Sequence, residues 1–110
     1  MKIIKVENNK KKYLDLLLLG DEQESMIDLY LDKGDMFVAA DNGVKAECVV
    51  VKCEDRVYEL KNIAVAPEFQ RMGYGKKLVE YILSYYNDCD TMYVGCLLYT
   101  SPSPRDRSVS

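Results

Sequence analysis

Residues 59–86, ELKNIAVAPEFQRMGYGKKLVEYILSYY, decide how this chain is read. An apolar run, Ile63-Ala64-Val65, is closed by Pro67, and Gln70-Arg71-Met72-Gly73-Tyr74-Gly75 then opens a lysine-rich helical pattern. Such a junction makes an anion cradle. The first turn of a helix leaves about four backbone N–H groups unpaired and carries roughly half a positive charge, and glycines let a phosphate approach that backbone. Arg71, Lys76 and Lys77 concentrate positive charge here on a chain whose net charge is −3.

Working outward, Leu78, Val79, Tyr81, Ile82 and Tyr85 recur at a helical period, which predicts a helix over 73–86 with Tyr81, Tyr85 and Tyr86 as packing residues. Asn87-Asp88 breaks it, and 91–94 reads as a short strand. Strand, loop, helix and strand form a βαβ-like crossover, so strands 57–65 and 91–94 should pair in parallel. Upstream, 36–40 and 44–53 are strands joined at Asp41-Asn42-Gly43, a two-residue hairpin signal, and a turn at Glu54-Asp55 leads into 57–65. Residues 2–7 alternate as a first strand. Asn8 and Asn9 break that pattern and are candidates to cap a helix. Two short helical patterns follow, Tyr13-Leu14-Leu17-Leu18 and Met26-Ile27-Tyr30-Leu31, meeting near Gly20 and Asp21.

Length and composition fit one soluble domain, with no apolar run long enough to span a bilayer and no leader pattern, so the expectation is a cytoplasmic protein with no membrane partner. The acidic balance disfavours nucleic acid. Four cysteines, at 48, 53, 89 and 96, lack paired CxxC spacing, and the chain has no histidine, so free thiols and no metal are expected. The missing histidine also excludes Ser-His-Asp and Cys-His catalysis. Lys10-Lys11-Lys12 reads as solvated surface. Asp21, Glu22, Glu24, Asp28 and Asp32 read either as an exposed face opposite Met26, Ile27 and Tyr30 or as a lure for a cationic acceptor.

A bare Gly-x-Gly before a helix can mark a turn with no ligand. A dinucleotide-binding reading fails because position 78 is leucine rather than the third glycine and the preceding sheet reads antiparallel. A P-loop lacks its Lys-Ser/Thr spacing. The full set, Ile63-Ala64-Val65, Pro67, Phe69 and Gln70-x-x-Gly73-x-Gly75, resembles the acyl-CoA pyrophosphate loop of the GNAT superfamily of N-acetyltransferases, whose signature is Gln/Arg-x-x-Gly-x-Gly/Ala. The resemblance is most specific over 59–86 and covers most of 2–95.

The resemblance implies an α/β (α+β) fold with a mixed, mostly antiparallel sheet and flanking helices, lacking the C-terminal helix and final strands. It implies transfer of an acetyl group from acetyl-CoA to a primary amine, on a small molecule or peptide, by direct attack with no covalent intermediate. Backbone at Ile63, Ala64 and Val65 would position the thioester, and Gln70, Arg71, Met72, Gly73, Tyr74, Gly75 and Lys76 would hold the pyrophosphate. Several relatives place a catalytic glutamate where this chain has Glu59, which alternatively is an outward strand residue paired with Lys61 or Lys45. Strict alternation would put Glu59, Lys61 and Ile63 on one face and Tyr58, Leu60, Asn62 and Ala64 on the other, unless a bulge resets the phase.

Residues 96–110 depart from all these patterns: they are rich in Pro and Ser without amphipathic period, and Cys96 to Asp106 equals one reading frame of a transposase-type sequencing adapter. The expectation is therefore a partial domain over 1–95 and a non-native or disordered tail over 96–110. Relatives use a tyrosine in the helix after this point as general acid; Tyr99 falls in the tail and is not assigned. A non-catalytic acyl-CoA-binding sensor and a small structural or interaction domain remain open, as do the acceptor and the oligomeric state.

Overall fold

A computed structural model gives the structure of the chain for residues 1–94; the tail at 96–110, with Cys96 and Tyr99, lies outside the described residues. Five strands form one sheet in the order β1 (Lys2–Val6), β2 (Asp35–Ala40), β3 (Val44–Glu54), β4 (Val57–Val65) and β5 (Thr91–Val94). The first four pair antiparallel, and β5 joins β4 in parallel, as the crossover through α3 (Tyr74–Tyr85) requires. Two short helices, α1 (Leu14–Gly20) and α2 (Glu24–Tyr30), cover one face of the sheet, and α3 covers the other.

Because successive strand residues point to opposite faces, β2 serves both layers. Phe37 and Ala39 join Cys48, Val50, Leu60, Leu78, Ile82 and Tyr86 under α3, while Met36 and Val38 join Leu17, Ile27, Tyr30, Leu31 and Val49 under α1 and α2. Leu78, Ile82 and Tyr86 are spaced by four, one stripe of the helical surface. An aromatic group clusters where that stripe meets the sheet: the Phe37 ring lies 5.7 Å from Tyr81, 5.1 Å from Tyr85 and 6.3 Å from Tyr86, and Tyr58 lies 4.4 Å from Tyr86. Tyr86 is buried and donates its hydroxyl proton to the Asp35 carboxylate, which ties the end of α3 to β2; Tyr85 is instead 46% exposed.

Several local expectations change. Asn9 does not cap through its side chain: it takes a left-handed conformation (φ 55°) before a 3₁₀ turn at Lys10–Tyr13, a state asparagine tolerates better than most residues. The β2–β3 loop has three residues rather than two, with Asn42 and Gly43 both at positive φ. The next turn falls on Asp55 and Arg56, the latter at φ 65°. Lys10 is not merely solvated, since its ammonium donates to the carbonyls of Leu31 (2.9 Å) and Gly34 (2.7 Å) just past α2. Lys11 binds Glu24 and, at 2.6 Å, Asp28, so much of the acidic face of α2 is neutralised from within. Met26, expected inside, is 46% exposed.

The largest difference lies in β4. Val49 pairs with Asn62 and Val50 with Leu60, so Lys61 is an extra residue, a bulge that resets the alternation. Tyr58, Leu60, Ile63 and Val65 therefore belong to the α3 layer, whereas Glu59, Lys61 and Asn62 turn toward α2 and α1. Ile63 does not share a face with Glu59 and Lys61, and Asn62 does not share one with Leu60, because one inserted residue inverts everything beyond it.

Candidate functional site

The bulged strand separates two grooves. The α3 groove, about 820 Å³, is lined by Ile63, Ala64 and Val65 of β4, by Phe69, Gln70, Arg71 and Gly73 of the connecting loop, and by Tyr74, Gly75 and Lys76 of α3. Val79, Glu80 and Leu83 extend its floor along α3, and Leu19 closes it from α1. Met72 is the one residue of the sequence-defined loop that does not line it, and it stands 64% exposed. Glu59 is not in this groove.

The loop is built from unusual backbone. A 3₁₀ turn at Pro67–Phe69 stops the strand, Arg71 takes φ 67°, and Gly73 takes φ 90° as the residue preceding α3. Positive φ costs a residue with a Cβ, and β-branched residues most, so Gly73 answers a backbone demand. A Cβ placed on Gly73 would meet nothing within 4 Å, so no protein atom claims the space beside it. At Gly75 a Cβ would stand 3.4 Å from Val65 Cγ2, which is ordinary contact. No side chain caps α3, and the first bond across its cap runs from the Lys77 N–H to the Gly73 carbonyl at 3.0 Å. The leading amides of the helix thus face the groove with their partial positive charge.

Side chains brace this loop rather than fill it. Gln70 Nε2 donates to the Val65 carbonyl at 3.2 Å, and the Tyr74 hydroxyl donates to Asp41 at 3.2 Å, linking α3 to the β2–β3 hairpin. Partial burial, followed by the Asp41 charge, raises the Tyr74 pKa. The Lys45 ammonium sits 4.0 Å over the Phe69 ring.

On the opposite side of β4 the α2 groove, about 500 Å³, is lined by Asp21, Met26, Leu29, Tyr30, Lys33, Val51, Lys52, Cys53, Glu59 and Lys61. Glu59 faces Lys61 Nζ at 3.7 Å and the Cys53 thiol at 3.9 Å. The Lys61 ammonium also lies 5.7 Å from the Tyr30 ring centroid. Behind these groups, Asn62 donates to the Leu17 carbonyl and to the Tyr30 hydroxyl, both at 3.0 Å, and Tyr30 in turn donates to Asp21 at 3.3 Å. Burial pushes the Tyr30 pKa up to about 12, so this hydroxyl stays protonated. Pairing of β4 with β5 ends at Leu60↔Val94, and Lys61 to Val65 have no β5 partner among the described residues.

Tyr30, Cys53 and Asn62 escape sequence reasoning as site residues because no local motif gathers them, whereas Asp21 belongs to the acidic set that one reading made a lure for a cationic acceptor. Glu47 was missed as well. It pairs across the sheet with Ala64, is fully buried, and neither carboxylate oxygen has a partner among the described residues. Burial pushes its pKa up to about 8, so it is held as the neutral acid at physiological pH. No cluster of three or more metal-ligating side chains occurs among the described residues, and no helix there is long and apolar enough to cross a membrane.

Known proteins share this fold. A family profile for the acetyltransferase (GNAT) domain matches residues 32–106. The uncharacterized N-acetyltransferase YvbK of Bacillus subtilis (strain 168) is 38% identical over 74 residues, 66% of this chain and 47% of that protein. An acetyltransferase of Bacillus subtilis in complex with CoA superposes with a TM-score of 0.75 at 30% identity, covering 83% of this chain and 62% of the other. A GNAT family acetyltransferase from Elizabethkingia anophelis with acetyl-CoA bound gives 0.71 at 34% identity, covering 79% and 58%. The chain spans about half the length of the curated relative, and about three fifths of these two structures.

Proposed function

Since the chain belongs to the GNAT acetyltransferase family, we propose that it transfers an acetyl group from acetyl-CoA to a primary amine by direct attack. The observation that carries this reading is the uncapped N-terminus of α3 beside Gly73, whose Cβ position is open and whose φ of 90° exposes the amides. A diphosphate fits such a cradle, and Arg71 and Lys76 add charge at its rim. Acetyl-CoA supplies the activated thioester. What the chain supplies is position and proton handling: the stretch Ile63–Val65, paired with β3 and without a β5 partner among the described residues, offers backbone donors to a thioester oxygen, and Glu59 is the base that takes the ammonium proton of the acceptor. The α2 groove holds that acceptor, which meets the Asp21 and Glu59 carboxylates and the Tyr30 ring.

CoA at saturating concentration should raise the melting temperature of the chain, and acetyl-CoA with an amine panel should release free CoA thiol. Glu59→Gln should leave the CoA-induced shift intact and slow thiol release about a hundred-fold. Absence of a CoA-induced shift would sink the proposal and leave a structural domain. A saturable shift with no thiol release from any amine would favour an acyl-CoA-binding sensor.

A further inference from the structure

Lys61 already occupies the place an acceptor amine would take. Its ammonium lies 3.7 Å from Glu59 Oε1 and 5.7 Å from the Tyr30 ring centroid, inside the α2 groove. Its backbone is the bulge in β4, next to Leu60, which pairs with Val94 of β5. Ile63 is two residues further on, about 7 Å along an extended strand. The lysine has a flexible four-carbon stem, and its side chain is 36% exposed. The other lysines lining the two grooves lie elsewhere: Lys76 at the α3 N-terminus, Lys33 just past α2, and Lys52 paired at 3.9 Å with Asp55.

We infer that Lys61 is an internal acceptor, acetylated on Nζ by acetyl-CoA held in the α3 groove of the same chain. The inference rests on the acetyl-CoA reading above. Glu59 takes one proton from the Lys61 ammonium, and the freed lone pair attacks the thioester carbonyl. The N–C bond forms, the C–S bond breaks, and CoA leaves as thiolate. A second nitrogen proton ends on the CoA sulfur, so the products are an acetamide, CoA thiol and, once Glu59 has reionised, one proton. Acetylation removes the charge over Tyr30 and releases Glu59 from its ion pair, which leaves that carboxylate to serve an external amine.

The test is peptide mass mapping of the full chain after incubation with acetyl-CoA, with rates compared between Lys61 and the exposed Lys2. Labelling of Lys61 should be at least about ten-fold faster than that of Lys2, saturate with acetyl-CoA, and fall about a hundred-fold in Glu59→Gln. A short acetyl thioester without the nucleotide should lose this preference. Equal rates at Lys61 and Lys2, an unchanged rate in Glu59→Gln, or equal labelling by the short thioester would overturn the inference. The CoA thermal shift separates the failures: a shift without Lys61 labelling removes only the internal acceptor, and no shift removes both.

Discussion

The grooves on either side of β4 are made of different material. The α3 groove is shaped by backbone, with Gly73 at φ 90°, Arg71 at φ 67° and an uncapped helix start, all within a few consecutive residues. Side chains from the residue just past α1 and from α2, β3 and β4 make the α2 groove: Asp21, Tyr30, Cys53, Glu59 and Lys61. A backbone site depends on a short motif and is indifferent to most substitutions around it, while a side-chain site depends on the packing of four elements. Binding of the donor and shaping of the acceptor pocket should therefore fail separately.

The strongest break in that contrast is Gly73→Val. A β-branched residue at φ 90° distorts the loop and its Cβ fills the open space, so CoA affinity should fall more than about a hundred-fold, ~3 kcal/mol, by titration calorimetry. Loss of affinity below about three-fold would remove the backbone cradle as the binding element. Next comes Asn62→Ala on the other side. It strips the Leu17 carbonyl and the Tyr30 hydroxyl of a donor, a buried loss of about 2–3 kcal/mol, and should lower the melting temperature by roughly 10 °C or more while the CoA-induced shift persists.

Glu47→Gln should act more gently, and its signature is in pH. The folded-state pKa of about 8 lies above the ordinary value of 4.5, so the folded chain holds a proton that the unfolded chain has released. Its contribution to stability is full below about 4.5 and falls as pH rises toward 8, by about 1.4 kcal/mol per unit. The glutamine variant should flatten that slope and gain about 1–2 kcal/mol at pH 7, the rest being offset by its own unmet amide donors. An unchanged slope in urea titrations would mean the carboxyl is already ionised. The smallest effect belongs to Gly75→Ala, where Val65 allows the methyl group and helix propensity offsets the contact: ligand-free stability should stay within about 1 kcal/mol while CoA affinity drops about five-fold.

The same contrast explains what the sequence made legible. The order of strands and helices, the parallel β5 and the glycine loop all follow from local periodicity or contiguous motifs, and each is present. The phase of β4 was not readable, because a bulge is fixed by how Val49 and Val50 pair with Asn62 and Leu60 across the sheet. Nor was the α2 groove, since Asp21 and Glu59 are joined only when α1 packs on β4. Gly20 shows how tight that packing is: a Cβ there would stand 2.2 Å from Asn62 Oδ1, so the glycine read as a helix end also permits close contact. Glu47 carries no local signal of burial, which comes only from the layers on both faces of β3.

The aromatic group between α3 and the sheet gives the molecule its own optical reporter. With nine tyrosines and no tryptophan, its near-ultraviolet emission is tyrosine emission, and Tyr58, Tyr81, Tyr85 and Tyr86 gather around the helix whose other end borders the glycine loop. Tyr86 donates its hydroxyl to Asp35, so its emission is expected to rise when that end of α3 leaves the sheet. Loosening of the helix from the sheet should then be readable, unlabelled, as light from its back.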